Sequence, residues 1–208
     1  PQFNNITMIT FLLNNQKIIT DQPPGLTVLD FVRYKKRLSG TKIGCREGDC
    51  GACTILVGEL KNEGIRYRNM TSCLMPLQNA HGKHILTVEG INMQAPSPVQ
   101  QQFIDTNGTQ CGFCTIGFVM SLTGYVLEKE EAKLEGAIAA MDGNICRCTG
   151  YKSIERAADE VTRMVEGKPE KKRIEWLVEK GFLPKYFLQI ESKLLDIQKD
   201  LKSNGDSK

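Results

Sequence analysis

The 208-residue chain predicts an α+β fold in which a strand-rich unit over residues 1–90 precedes an all-helical unit over 91–167. Three observations predict it. The first ninety residues hold short β-branched runs separated by turn residues, and a proline-interrupted stretch follows. After that stretch only helical periodicity remains.

TMITFLL (7–13) and QKIIT (16–20) flank Asn14-Asn15, a pair suited to a two-residue hairpin turn. LTVLDFVRYKKRL (26–38) predicts a helix with Leu26, Leu29, Phe31 and Val32 on its apolar face, and Thr27 with Asp30 resembles a capping box. Residues 43–53, rich in Gly and Cys, have no period and predict a loop ordered by something other than packing. TILVGEL (54–60) and IRYRN (65–69) form a second hairpin signal around Gly64, and HILTVEG supplies a last strand near 84–88. GINMQAPSPVQ, with Pro96 and Pro98, breaks both periods and marks the boundary. Helices are expected over 99–106, 115–127, 131–141 and 153–166. The last carries Ile154, Ala157, Ala158, Val161, Met164 and Val165 on one stripe, with Gly167 as its C-terminal stop. Residues 168–208, charged and weakly helical, read as a linker or docking arm.

Composition excludes several classes. The hydrophobic and charged fractions, 40% and 25%, are those of an ordinary globular chain. A net charge of +3, from 27 basic against 24 acidic side chains, argues against a nucleic-acid partner. The basic runs at 33–37 and 168–173 read as solvated faces. No apolar run approaches the roughly 20 residues of a membrane helix. The start, PQFNNITMITFLL, does not read as a secretory signal. Eight cysteines without an export signal imply a reducing, cytoplasmic setting, where thiols are more often metal ligands than disulfides.

Cys45, Cys50 and Cys53 are spaced C-x4-C-x2-C, and Cys73 follows. This is the plant-type ferredoxin ligand pattern for a 2Fe–2S cluster, with two thiolates on each iron. Gly44, Gly48 and Gly51 let the backbone wrap closely and point amides at sulfur. The competing reading, a four-cysteine zinc site, expects two short C-x2-4-C knuckles, and Cys73 stands alone. Cys111 and Cys114 open a helix, and Cys146 and Cys148 lie in the loop GNICRCTGY after the next helical hairpin. On spacing alone, this second set could hold zinc or a cluster.

KIGCREGDCGACT, RNMTSC, TQCGFCTIGFVMS and GNICRCTGY together resemble the iron–sulfur subunit of the xanthine dehydrogenase or molybdenum hydroxylase family, from the first hairpin to about residue 166. VGELKNEGIRYRNMTSC and NAHGKHILTVEGI look closer to xanthine dehydrogenases, the bacterial small subunits above all. The resemblance implies a β-grasp ferredoxin domain followed by a four-helix domain. It also implies a second 2Fe–2S cluster on Cys111, Cys114, Cys146 and Cys148, the one nearer the molybdenum cofactor. Gln110, which alone reads as a helix-capping residue, matches the family's glutamine that contacts the pterin, and Cys148 lies on the same side. Ile116 departs from the family's CTPG, where proline presets the first helical turn. His81 and His84 read as ordinary loop or strand residues.

No G-x-G-x-x-G fingerprint, P-loop, Ser-His pair or paired carboxylates stand out, so substrate chemistry is expected on another subunit. The resemblance implies an oxidoreductase component that passes electrons from a molybdenum-pterin large subunit to FAD on a further subunit or domain. Residues 171–190 resemble the connector toward the flavin domain. The alternatives are a free-standing 2Fe–2S carrier, or the small subunit of an oxidoreductase for aldehydes or other N-heterocycles.

Overall fold

The computed structural model describes residues 8–62, 64–128, 132–167 and 172–203. Thr7, Glu131 and residues 168–171, expected in a strand, a helix and the basic run, lie outside them.

Strands β1 (Ile9–Leu13), β2 (Gln16–Thr20), β3 (Thr54–Lys61), β4 (Gly64–Thr71) and β5 (His84–Leu86) form one sheet of order β2-β1-β5-β3-β4. β1 pairs with β2 antiparallel, Phe11 opposite Ile18, through a turn in which Asn14 takes φ +53°. β5 runs parallel to β1 and antiparallel to β3. One face of the sheet (Ile9, Phe11, Leu13, Ile55, Val57, Ile85) packs on Val28, Phe31 and Val32, which makes this half a β-grasp.

Helix α1 (Val28–Asp30) is capped as expected, the Asp30 amide donating to Thr27 Oγ1 at 3.1 Å. It widens into a π turn at Phe31–Lys35 and stops short of residue 38. Arg37 turns left-handed at φ +57°, and the Leu38 amide closes back on the Val32 carbonyl at 2.8 Å. The Arg33 guanidinium then donates to the carbonyls of Ser39 (2.8 Å) and Thr41, drawing the chain toward Cys45. The last strand ends at Leu86, because residues 88–91 coil into a single turn, α2 (Val88–Ile91).

The helical half comprises α3 (Pro98–Asp105), α4 (Thr115–Glu128), α5 (Leu134–Met141) and α6 (Lys152–Met164). Pro98 breaks the strand pattern by starting α3 at its first position, behind a complete Ser97/Gln100 capping box. α4 is buried almost all round, since it lies on β3 and β4 with one face and on α3 and α5 with the other. One core therefore runs from Leu56, Tyr67 and Leu86 of the sheet through Phe118, Leu122 and Ile154 to Leu177 and Phe187.

Residues 172–203 of the arm hold more structure than their charge suggests. α7 (Arg173–Glu179) packs on α4, while a 3-10 turn at Lys185–Gln189 and α8 (Ile190–Ser203) fold back over the outer face of the sheet. Ile190, Leu194 and Ile197 bury against Leu12 of β1. Full burial of each such side chain is worth about 1.5–3 kcal/mol. The exposed pair of Lys17 and Asp200, 2.7 Å apart, adds about 0–1 kcal/mol, so packing holds the arm. Phe187 sits 6.2 Å from the Tyr67 ring and 5.9 Å from His84.

Candidate metal centres

The register of β3 with β4 builds half of the first site. Thr54 pairs with Thr71, so Cys53 and Cys73, just beyond the ends of that pairing, lie side by side. The Ser72 amide and hydroxyl both donate to the Cys53 carbonyl, at 3.3 and 2.7 Å. Both thiols are buried with Leu29 and Ile43, and burial pushes Cys73 up to about 11. Cys45 and Cys50 come from the loop between α1 and β3 and are half-buried. The Glu47 amide donates to Cys45 Sγ at 3.3 Å and the Cys45 amide to Cys50 Sγ at 3.4 Å. Donation from the Glu47 amide brings Cys45 down to about 7, because it favours anionic sulfur. A Cβ on Gly44 would lie 2.5 Å from Cys50 Sγ; only glycine leaves room for that thiol. Arg46 ties the loop to α1 through two bonds to Asp30, at 2.8 and 3.2 Å, and this hydrogen bonding holds the Asp30 carboxyl below its usual range.

The second site lies where two helix-terminal loops meet. Cys111 and Cys114 immediately precede α4, and Cys146 and Cys148 lie between α5 and α6. Cys111 and Cys148 are exposed, their sulfurs 3.6 Å apart. The shared proton raises Cys148, while the Phe113 amide lowers Cys111. Cys114 is pushed up to about 12 by burial and lies beside Cys146. Burial also works on Cys146, but the Thr149 hydroxyl, 3.2 Å from its sulfur, and nearby amides outweigh it and lower the thiol. The Cys146 amide donates to Tyr151 Oη at 3.0 Å.

All eight cysteines are free. The sulfurs meet in pairs: Cys45 with Cys50, Cys53 with Cys73, Cys111 with Cys148 and Cys114 with Cys146. Among the described residues no three His, Cys, Asp or Glu side chains close on a single ion. Two such pairs in each set supply the four thiolates that a two-iron centre takes, two on each iron.

Gln110 is exposed next to Cys111, and exposed Phe113, Ile145 and Tyr151 belong to the same loops. Ile116, second in α4, packs on the core. Its amide falls in the first turn, where no helical acceptor exists, so apolar contact replaces the proline's preset φ. His81 Nδ1 accepts from the Thr10 amide at 3.0 Å. His84 lies between Tyr67 Oη at 2.7 Å and the Asn14 carbonyl at 2.9 Å. Both histidines are structural. Asn144, in the loop GNICRCTGY, is buried between the two sites, and sequence carries no signal for a buried amide.

A family model described as a 2Fe-2S iron-sulfur cluster binding domain matches residues 11–78, and one described as a 2Fe-2S binding domain matches 87–159. The xanthine dehydrogenase of Blastobotrys adeninivorans is 44% identical over 163 residues, covering 75% of this chain and 12% of that protein. Quinoline 2-oxidoreductase from Pseudomonas putida 86 superposes with a TM-score of 0.65 at 32% identity, covering 76% of this chain and 94% of the matched one. The aldehyde oxidoreductase of Desulfovibrio gigas, at 22% identity, shares the fold with a TM-score of 0.67 over 92% of this chain and 22% of its own. The chain spans about 12% of the length of the curated relatives it matches. With 2Fe–2S-binding domains in tandem and paired thiols in each, the chain belongs to the iron–sulfur subunits and domains of the molybdenum hydroxylase family and carries two 2Fe–2S clusters.

Proposed function

We propose that this chain is the electron conduit of a xanthine dehydrogenase-type complex, between a molybdenum-pterin subunit and FAD on a further subunit or domain. Cys45, Cys50, Cys53 and Cys73 hold one cluster; Cys111, Cys114, Cys146 and Cys148 hold the other. The 2Fe–2S groups supply one-electron chemistry. The chain's own residues bind them, aim amides at their sulfurs and keep one edge open. The observation that carries the direction is the difference in burial: Cys111 and Cys148 are exposed beside Gln110, while Cys53 and Cys73 are buried. The open edge suits a partner that delivers electrons, with Gln110 and Cys148 facing the pterin. The partners' substrate is a heterocycle of the xanthine type.

Anaerobic purification of the native complex tests this. The expected result is about four irons and four acid-labile sulfides per chain, two of each per cluster, two distinct rhombic EPR signals on reduction, and a co-purifying molybdenum-pterin chain. Zinc in place of iron overturns the ligand assignment. Iron without the molybdenum partner makes the chain a free-standing carrier instead.

A further inference from the structure

The two cysteine loops touch each other directly. The Ile145 amide donates to the Cys50 carbonyl at 3.0 Å, so a single hydrogen bond and one further peptide unit join the backbones of Cys50 and Cys146. Beside this bond, Asn144 is 4% exposed and both ends of its carboxamide are engaged. Nδ2 donates to the Gly51 carbonyl at 3.0 Å, and Oδ1 accepts from Ser121 Oγ at 2.7 Å. Ser121 belongs to α4, directly after Cys114. Gly51 takes φ +67°, and a Cβ there would fall 2.3 Å from Asn144 Nδ2 and 2.5 Å from the Gly143 carbonyl. The loops approach more closely than any side chain allows.

Each loop also has backbone anchors of its own. The Gly51 carbonyl already accepts from the Thr54 amide at 3.0 Å and the Thr54 hydroxyl at 2.7 Å, and the Asn144 backbone is held by its own bond to the Met141 carbonyl at 2.8 Å. What the side chain adds is the relation between the loops. The position requires a neutral group that donates on one side and accepts on the other. An ionised aspartate would turn acceptor lone pairs on the Gly51 carbonyl, and alanine would span neither gap.

We propose that Asn144 is a positioning residue for electron exchange between the two cluster sites, holding the Cys50 carbonyl against the Ile145 amide. The proposal deepens the conduit reading and rests on its ligand assignment. In the exchange, one reduced centre is oxidised as the other is reduced, and no bond or proton changes.

The test uses the full chain reconstituted with iron and sulfide, as wild type, Asn144→Ala and Ser121→Ala. The readouts are iron content, the g values of each EPR signal, their mutual spin–spin splitting, and the rate of electron redistribution after flash photoreduction. Electron exchange weakens as the distance between two centres grows, so loosening the join between the loops slows it. Asn144→Ala is therefore expected to slow redistribution several-fold and weaken the splitting, with iron and g values unchanged. Ser121→Ala, which loosens only the amide's anchor, falls between. An unchanged rate overturns the proposal. Slowing accompanied by altered g values also overturns it, since Asn144 would then shape one site and not the relation of two. If Asn144→Ala loses iron, Ser121→Ala decides by the same criteria. A wild-type chain without two signals fails the ligand assignment itself, and the proposal with it.

Discussion

Buried His84 makes the arm's docking pH-dependent. Its ring lies under Phe187, accepts from Tyr67 Oη at Nδ1 and donates from Nε2 to the Asn14 carbonyl. Burial brings it from 6.5 down to about 4, and a protonated Nδ1 could no longer accept from Tyr67. The folded-state value is depressed, so His84 supports the fold fully above pH 6.5. As pH falls below that, the unfolded chain takes up a proton that the folded chain refuses, and stability drops until about pH 4. With these two values, linkage costs about 2 kcal/mol at pH 5 and almost nothing at pH 7. For a chain of this size, that is a melting-temperature drop of about 4–8 °C. The assay is thermal unfolding of the iron-loaded chain between pH 7 and pH 5, with His84→Gln as control because a carboxamide keeps one donor and one acceptor without titrating there. Limited proteolysis at α7 and α8 reports arm release. Equal pH dependence in wild type and His84→Gln would refute the reasoning.

Two further outcomes follow from packing. Leu194→Ala removes a fully buried side chain between α8 and β1; it should destabilise by about 2–5 kcal/mol and expose α8 to protease, while both EPR signals persist. Gly44→Ala places a methyl 2.5 Å from Cys50 Sγ; it should abolish one EPR signal and about half the iron while the second signal remains. Loss of both signals would show that the first loop's geometry is not local.

The five strands, helices α1 and α3 to α6, and both cysteine sets were legible because their signals are local; the turn α2 was read as the end of a strand. β-branched runs, Thr27, Asn14-Asn15 and the C-x4-C-x2-C spacing act within a few residues. That the arm packs on this chain's own sheet was not read, despite two readable signals. Ile190, Leu194, Ile197 and Leu201 form a helical stripe, and β1 is apolar at consecutive positions, as a strand covered on both faces must be. The shortened first helix was not readable, because its end is set by Arg33 reaching the carbonyls of Ser39 and Thr41.

The sequence by itself determined the α+β order, the donor chemistry and the grouping of the thiols into two sets, since residue type and spacing carry these. Only the tertiary structure decided which thiols pair, which pair stays exposed, that the arm closes over the sheet, and that Asn144 bridges two loops 93 residues apart along the chain. Those features depend on contacts between distant segments, and no local pattern encodes the distance at which two loops come to rest.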